Sequence, residues 1–453
     1  MSPSLRIAIP LAAFLTVPLP AQPADFSAVE RSAAAELARL HIPGASIAIV
    51  RDQSVIYTKA FGIANVETGE AVRPEMLFRL GSTTKMFTAA ALLGLAAERR
   101  IDLHAPLGTY LKFLPPKLSR ITADQILSHT AGLRDEAPMY GSHDDSALGD
   151  GIRAWTDDWL FTSPGKIFSY SNPGYWLAGY LVETLSGKPY ADAMEARLFK
   201  PLGMTRTTLR PTLAMTWPLA QGHEYAGEKF TIARPAADNA SGWPAGSIFS
   251  NTQNLARFAI AFMNQGRVDG TQVLAPEVIT LMSTPHAIPP GEPAEAYCYG
   301  LGSRQFRGVR VLEHDGSRMG YGSEIRMLPA QRVAIIVQTN RSGATLPATM
   351  EAATALLVPL KPPAAPIDDQ SPRLTAEDIS RIAGVYQNGA QRIEIAARDN
   401  RLFVKRGAGA QVELTRRGES LFSAADTRFV IVKGPGGRSE YVFSGGRSFA
   451  RVP

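Results

Sequence analysis

Between residues 86 and 97 the chain reads MFTAAALLGLAA, apolar around the full circumference of a helix, and Glu98-Arg99-Arg100 ends the run. A helix with no polar face must be covered on nearly every side, and its Ala and Leu content favours helix in any case. The segment therefore predicts a central buried helix and a domain large enough to enclose it. The 453 residues leave room for one large unit and something smaller. At 45% hydrophobic and 19% charged the composition is ordinary for a globular chain, which excludes fibrous and disordered classes.

Strand and helix patterns alternate around this helix. Residues 45–50 and 55–61 read as strands joined by a tight turn at Arg51-Asp52-Gln53. The stretch 101–210 is richer in helix-like segments, including 175–185 and 190–198, and strands return at 299–306, 309–314, 323–329 and 332–339. This order predicts an α+β domain over 25–360 whose sheet is assembled from both ends of the chain. Residues 361–372 are proline-rich and read as a linker. Thr375-Ala-Glu-Asp378 then offers the N-cap and acidic first turn of a short helix. Short runs at 392–396, 401–405, 412–415, 429–433 and 440–443, separated by Gly, Asn and Asp, predict a small antiparallel barrel or sandwich within 373–453.

Residues 1–24 read as an export signal: Arg6, an apolar run at 7–19, then small residues at Ala21 and Ala24. A periplasmic or extracellular location is expected. Cys298 is the only cysteine, so no disulfide forms within the chain, and it reads as a small buried hydrophobe. From Arg373 onward there are 14 Lys or Arg against 8 Asp or Glu, an excess equal to the formal charge of +6 for the whole chain. A basic tail suits association with anionic envelope polymers, although arginines on the wet face of a β-domain are the plainer account. No basic stripe with interleaved aromatics points to nucleic acid. The partner expected is a small molecule or short peptide, and the sequence leaves the oligomeric state open.

The chemistry centres on Gly81-Ser82-Thr83-Thr84-Lys85, which opens the apolar helix. Ser82 and Lys85 are one helical turn apart, so their polar tips share a face. A buried amine that has lost its proton can take one from a serine hydroxyl, and backbone N–H groups at a helix start face developing negative charge. Ser163-Pro-Gly-Lys166 matches the same text, but Pro164-Gly165 denies it a helix. Tyr170-Ser171-Asn172 places a phenol and a carboxamide two apart on extended backbone; Tyr170 can relay a proton and Asn172 can bond a substrate amide. Tyr386-Gln-Asn388 copies that spacing in the β tail, where a strand aromatic followed by a turn explains it better. His314-Asp315-Gly316 ends a strand: His314 can orient substrate or share protons, Gly316 lets substrate approach the backbone, and the N–H of Ser317 pairs with that of Ser82 as an oxyanion hole. A serine at a helix start is in most proteins a plain cap, and a strand histidine is more often structural.

Together and in this order, the three elements resemble those of the serine penicillin-recognising superfamily, in its branch of class C β-lactamases, DD-peptidases, D-aminopeptidases and esterases. Pro43-Gly44, Ser128-His129-Thr130-Ala131-Gly132-Leu133, Pro201-Leu202-Gly203-Met204 and Ala245-Gly246 before Ser250 resemble further landmarks, so the likeness covers most of 38–345. It implies a β-lactamase/transpeptidase-like antiparallel sheet flanked by helices, a helical lobe, an active site between them, and acyl-enzyme chemistry at Ser82 without metal or organic cofactor. The tail is similar to the lipocalin-like β-domain of some such hydrolases. His129 is implied to pack the lobe. His-Asp-Gly departs from Lys-Thr-Gly: a histidine, mostly neutral at pH 7, is a weaker carboxylate anchor, which favours peptidase or esterase work over β-lactamase activity. Arg318 restores a positive charge if it faces the cleft. The competing expectation is an envelope binding protein that holds or acylates cell-wall material without efficient turnover.

Overall fold

A computed structural model describes residues 25–363 and 374–452. The expected export signal and most of the predicted linker lie outside the described residues. The sheet expected from both ends of the chain is present. Strand Gly44–Arg51 pairs antiparallel with Ser54–Asn65 on one side and with Val333–Thr339 on the other, inside an eight-stranded sheet.

Side-chain alternation along this central strand explains its two covered faces. Ile47 and Ile49 join Ile335, Val337, Val29, Ala33 and Met350 on the face covered by the terminal helices Ser27–Arg39 and Pro347–Leu357. Those two helices are pinned by Glu36, whose buried carboxylate accepts the N–H groups of Ala348 and Thr349 at 3.0 and 2.8 Å. An anion is favoured there because a helix N-terminus carries unpaired N–H groups. Ala48 and Val50, with Ala334 and Ile336, point to the opposite face and into the larger core.

The apolar helix, Thr84–Ala97, lies in that larger core between the sheet and the helical lobe, and every side chain from Thr84 to Leu93 is buried. Its all-round apolarity is satisfied by this double cover. Helices Ala123–Leu127, Asn172–Ser186 and Tyr190–Met194 supply the lobe side. The strand predicted at 299–306 runs Leu301–Phe306, and an unpredicted strand, Glu295–Cys298, precedes it. Gly300 turns between them with φ of 76°, and a Cβ there would come within 2.9 Å of the Lys85 carbonyl. The next strand is longer than expected, running Val309–Arg318 and so carrying the whole His-Asp-Gly segment into the sheet.

In the C-terminal part, Thr375 caps helix Ala376–Ile382 in a reciprocal capping box with Asp378. Nine strands follow in one antiparallel sheet whose two edges are Val412–Glu413 and Thr415–Arg416. Only Leu414 separates these edges in the chain, so the sheet must curl back on itself. The result is the expected barrel-like domain, filled by Tyr386, Ile393, Leu402, Phe422, Phe429 and Phe449. No helix among the described residues is long and apolar enough to cross a membrane.

Candidate active site

Ser82 sits in a short turn, Gly81–Thr83, that feeds directly into the buried helix. Gly81 has φ of 55°, and a Cβ on it would fall 2.6 Å from backbone atoms of Ser317. Glycine therefore lets the Ser82 turn and the His314 strand touch, which brings the backbones beside Ser82 and Ser317 together. Gly316 does the same from the other side. A Cβ there would lie 1.8 Å from the Leu80 carbonyl, so strand-to-turn packing by itself demands this glycine.

Lys85 is fully buried, with its Nζ 3.1 Å from Ser82 Oγ, 2.8 Å from Asn172 Oδ1 and 2.8 Å from the Ala245 carbonyl oxygen. The rings of Tyr170 and Tyr175 stand 4.7 and 5.6 Å from the same nitrogen. Burial brings the amine down to about 7; Asp135 opposes that shift, and Arg447 adds to it. As an ammonium the nitrogen donates to all three oxygens; as a free amine it keeps two donations and one lone pair. In the free-amine form the two acceptor-only oxygens, of Asn172 and Ala245, take the two N–H groups, and the lone pair is left for the Ser82 hydroxyl.

Helix Asn172–Ser186 begins three residues earlier than the pattern at 175–185 suggested, because Ser171 caps it through the Gly174 N–H and Pro173 suits the first turn. Asn172 is consequently the first helical residue, directly after the extended Ser171, so the carboxamide sits at a helix start and not on the extended backbone expected for it. The Asn172 carboxamide is occupied at both ends. Its oxygen faces Lys85, while its Nδ2 donates to Asp135 Oδ1 at 3.0 Å and its backbone N–H to the same atom at 2.8 Å.

Tyr170 contacts the Ser82 side chain, and burial pushes its phenol well up, so it carries its proton at neutral pH. His314 is buried on the sheet, 6.3 Å from Tyr170 between ring centroids. Its Nδ1 lies 2.5 Å from the Asp315 carbonyl oxygen and its Nε2 lies 3.2 Å from the Tyr297 hydroxyl. Burial lowers its pKa, leaving a neutral ring that donates at Nδ1 and accepts at Nε2. His129 is also buried: its Nδ1 accepts the Ser171 N–H at 3.0 Å and its ring packs on Tyr170 and Tyr297. This is a packing residue with a direct hold on the Tyr170-Ser171 backbone.

The structure thus gathers Ser82, Lys85, Tyr170 and Asn172, with His314, Gly316 and Ser317 on the adjoining strand. A cavity of about 540 Å³ opens at Ser82, walled by Pro138, Met139, Trp176, Ser317, Arg318 and Arg447 among others. Arg318 does face it, with Nη2 donating to the Ala237 carbonyl at 3.0 Å. Tyr170 and His314 also border a second cavity of about 570 Å³, which the tail residues Ser444, Gly445 and Gly446 help to line. The look-alikes stay apart from this chemistry. Lys166 is half-exposed and 3.3 Å from Glu440, and Tyr386 lies in the barrel core. Asn388 is nonetheless near, accepting the Asp135 backbone N–H at 3.1 Å.

Two residues escaped the sequence reading. Asp135 lies two positions beyond the Leu133 landmark, in irregular chain, with nothing local to mark it. Arg447 is one of many basic residues in the tail, yet its Nε and Nη2 both reach Asp135 Oδ2 at 2.6 Å.

A family model described as Beta-lactamase matches residues 29–359. The chain belongs to the beta-lactamase family. Among its relatives, the unguisins hydrolase ungD' of Aspergillus campestris is 30% identical over 335 residues, covering 70% of this chain and 61% of that protein. Penicillin-binding protein 4 of Amycolatopsis lactamdurans is 29% identical over 317 residues, covering 67% and 82%. The chain spans about three fifths of the length of the unguisins hydrolases it matches. Among solved structures, SurE superposes with a TM-score of 0.76 at 26% identity over 94% of this chain and 99% of its own, so the likeness includes the C-terminal domain. The D-alanine carboxypeptidase AmpC of Burkholderia cenocepacia shares the fold, with a TM-score of 0.59 at 22% identity over 73% and 97%.

Proposed function

We propose that the protein hydrolyses an amide or ester through an acyl-enzyme on Ser82, with a D-configured amino-acid residue on the acyl side of the scissile bond. The observation that carries the reading is the Lys85 amine, buried, brought down to about 7 and 3.1 Å from Ser82 Oγ. Ser82 Oγ attacks the carbonyl carbon while its proton passes to Lys85, and the N–H groups of Ser82 and Ser317 receive the oxyanion. The leaving nitrogen or oxygen takes a proton through Tyr170 as the bond breaks. Water then enters, gives up its proton along the same route, and releases the acid. His314 accepts from Tyr297 and orients the strand that carries Ser317.

Support for a D-residue comes from two neighbours, a SurE structure described with D-Leu and the D-alanine carboxypeptidase. The cavity beside Ser82 suits such a residue: Pro138, Met139 and Trp176 offer apolar contact, and Arg318, down to about 9 through burial, is still a cation at neutral pH. The export signal at 1–24 would place this chemistry in the periplasm or outside the cell. The test is a purified-protein panel of D-alanyl and L-alanyl anilides, short-chain nitrophenyl esters and a chromogenic cephalosporin. Turnover of D over L anilides is expected, and equal or reversed rates would overturn the D-residue assignment. Stoichiometric labelling of Ser82 without product release would instead favour the envelope binding protein.

A further inference from the structure

We propose that Arg447, supplied by the C-terminal domain, is a positioning residue of the catalytic centre: it fixes Asp135, and through Asp135 it turns Asn172 so that a carbonyl oxygen meets Lys85. The inference rests on Ser82 and Lys85 being the nucleophile and base. A carboxamide has a donor end and an acceptor end of nearly equal shape, and a neighbour must choose between them. Asp135 makes the choice, because a carboxylate only accepts: it draws Nδ2 of Asn172 to 3.0 Å and leaves Oδ1 for Lys85 at 2.8 Å. Asp135 is itself buried, at 7% exposure, and its second oxygen is held by the two 2.6 Å contacts to Arg447.

The tail is built to deliver that guanidinium. Strand Arg447–Arg451 is anchored on the segment that carries Tyr170: the Tyr170 N–H donates to the Gly446 carbonyl at 2.9 Å, the Ser448 N–H to Ser169 Oγ at 3.1 Å, and Ser448 Oγ to the Phe168 carbonyl at 2.7 Å. Arg447 therefore cannot drift without the turn beside it leaving Tyr170.

The second consequence is electrostatic. The charges acting on Lys85 are Asp135 and Asp315, which favour the ammonium, and Arg447, which opposes it. The remaining titratable neighbours are uncharged: burial holds His129 and His314 neutral and keeps the Tyr170 and Tyr175 phenols protonated. Removing Arg447 deletes a nearby cation and leaves the Asp135 charge uncompensated. Both changes raise the lysine pKa, so the fraction of free amine at neutral pH falls.

The experiment uses the full-length chain and the dependence of kcat/KM on pH with a turned-over nitrophenyl ester. For Arg447→Met the acid limb should move up by about one pH unit, with a loss of about tenfold below the limb and recovery toward the parent rate above it. Arg447→Lys should hold the limb near its original pH by keeping the charge. Lys166→Met removes another ion pair between the same two domains, to Glu440, and should leave the limb in place. A loss by the same factor at every pH in Arg447→Met, or a limb that does not move, would overturn the proposal and reduce Arg447 to an interface contact. Should Arg447→Met not fold, Arg447→Gln, which keeps one donor toward Asp135, is scored on the same criterion. Ser82→Ala separates the two readings: activity retained there sinks the nucleophile, whereas an inactive Ser82→Ala with an unmoved Arg447→Met limb sinks this inference alone.

Discussion

Ser82-Thr-Thr-Lys85 and Ser163-Pro-Gly-Lys166 are the same motif as text and opposite things as matter. The first enters a helix sealed between the sheet and the lobe, and its lysine loses water on all sides. The second runs through a turn at Pro164-Gly165, and its lysine stays half in solvent beside Glu440. Burial makes the difference, because the Lys85 ammonium, stripped of water, surrenders its proton near 7. A pattern of residue types thus acquires a base's chemistry only where the fold excludes water from it.

Substitution should separate the two pairs widely. Ser82→Ala should lower kcat by at least about a thousandfold, while Ser163→Ala should leave it within about twofold, read with a chromogenic ester and by covalent labelling of Ser82. Equal losses would mean that the nucleophile lies elsewhere. Lys85→Met should lose about a hundredfold or more in acylation rate with the fold retained, measured as the rate of labelling by a phosphonate or fluorescent penicillin. With Lys85 as the proposed base only the free amine acts, so kcat/KM of the parent protein should be low under acid conditions, rise through a pH of about 7 and level above it. A profile flat from pH 5 to about 9 would break the assignment of Lys85 as base.

The same contrast explains how much was legible beforehand. The buried helix, the two-ended sheet and the barrel-like tail each announce themselves through local periodicity and turn residues, and so do Ser82 and Lys85 on one helical face. Gly316 was visible as a residue of the motif, but the packing that demands it was not, since the Leu80 carbonyl that excludes a side chain is 236 positions away in the chain. Asp135 and Arg447 left no trace at all. Their roles arise from a contact between an irregular loop and the last strand of another domain, and no periodicity within either segment encodes it.

The smallest expected effects compare two ion pairs that join the same domains. Asp135 and Arg447 meet in a mostly buried place, and Asp135→Ala leaves a cation facing the empty position while Asn172 loses the acceptor of two N–H groups. Breaking a buried pair from one side costs about 3 kcal/mol or more, because the remaining charge keeps its desolvation penalty. Lys166 and Glu440 are 48% and 36% exposed, so water replaces either partner and screening weakens the attraction. Lys166→Met should therefore shift the unfolding free energy by less than about 1 kcal/mol, and added salt should shrink even that. Denaturant unfolding of both variants measures the difference. Equal destabilisation would mean that the domain interface is held by its bonded backbone alone, with the Asp135 pair contributing orientation and no net stability.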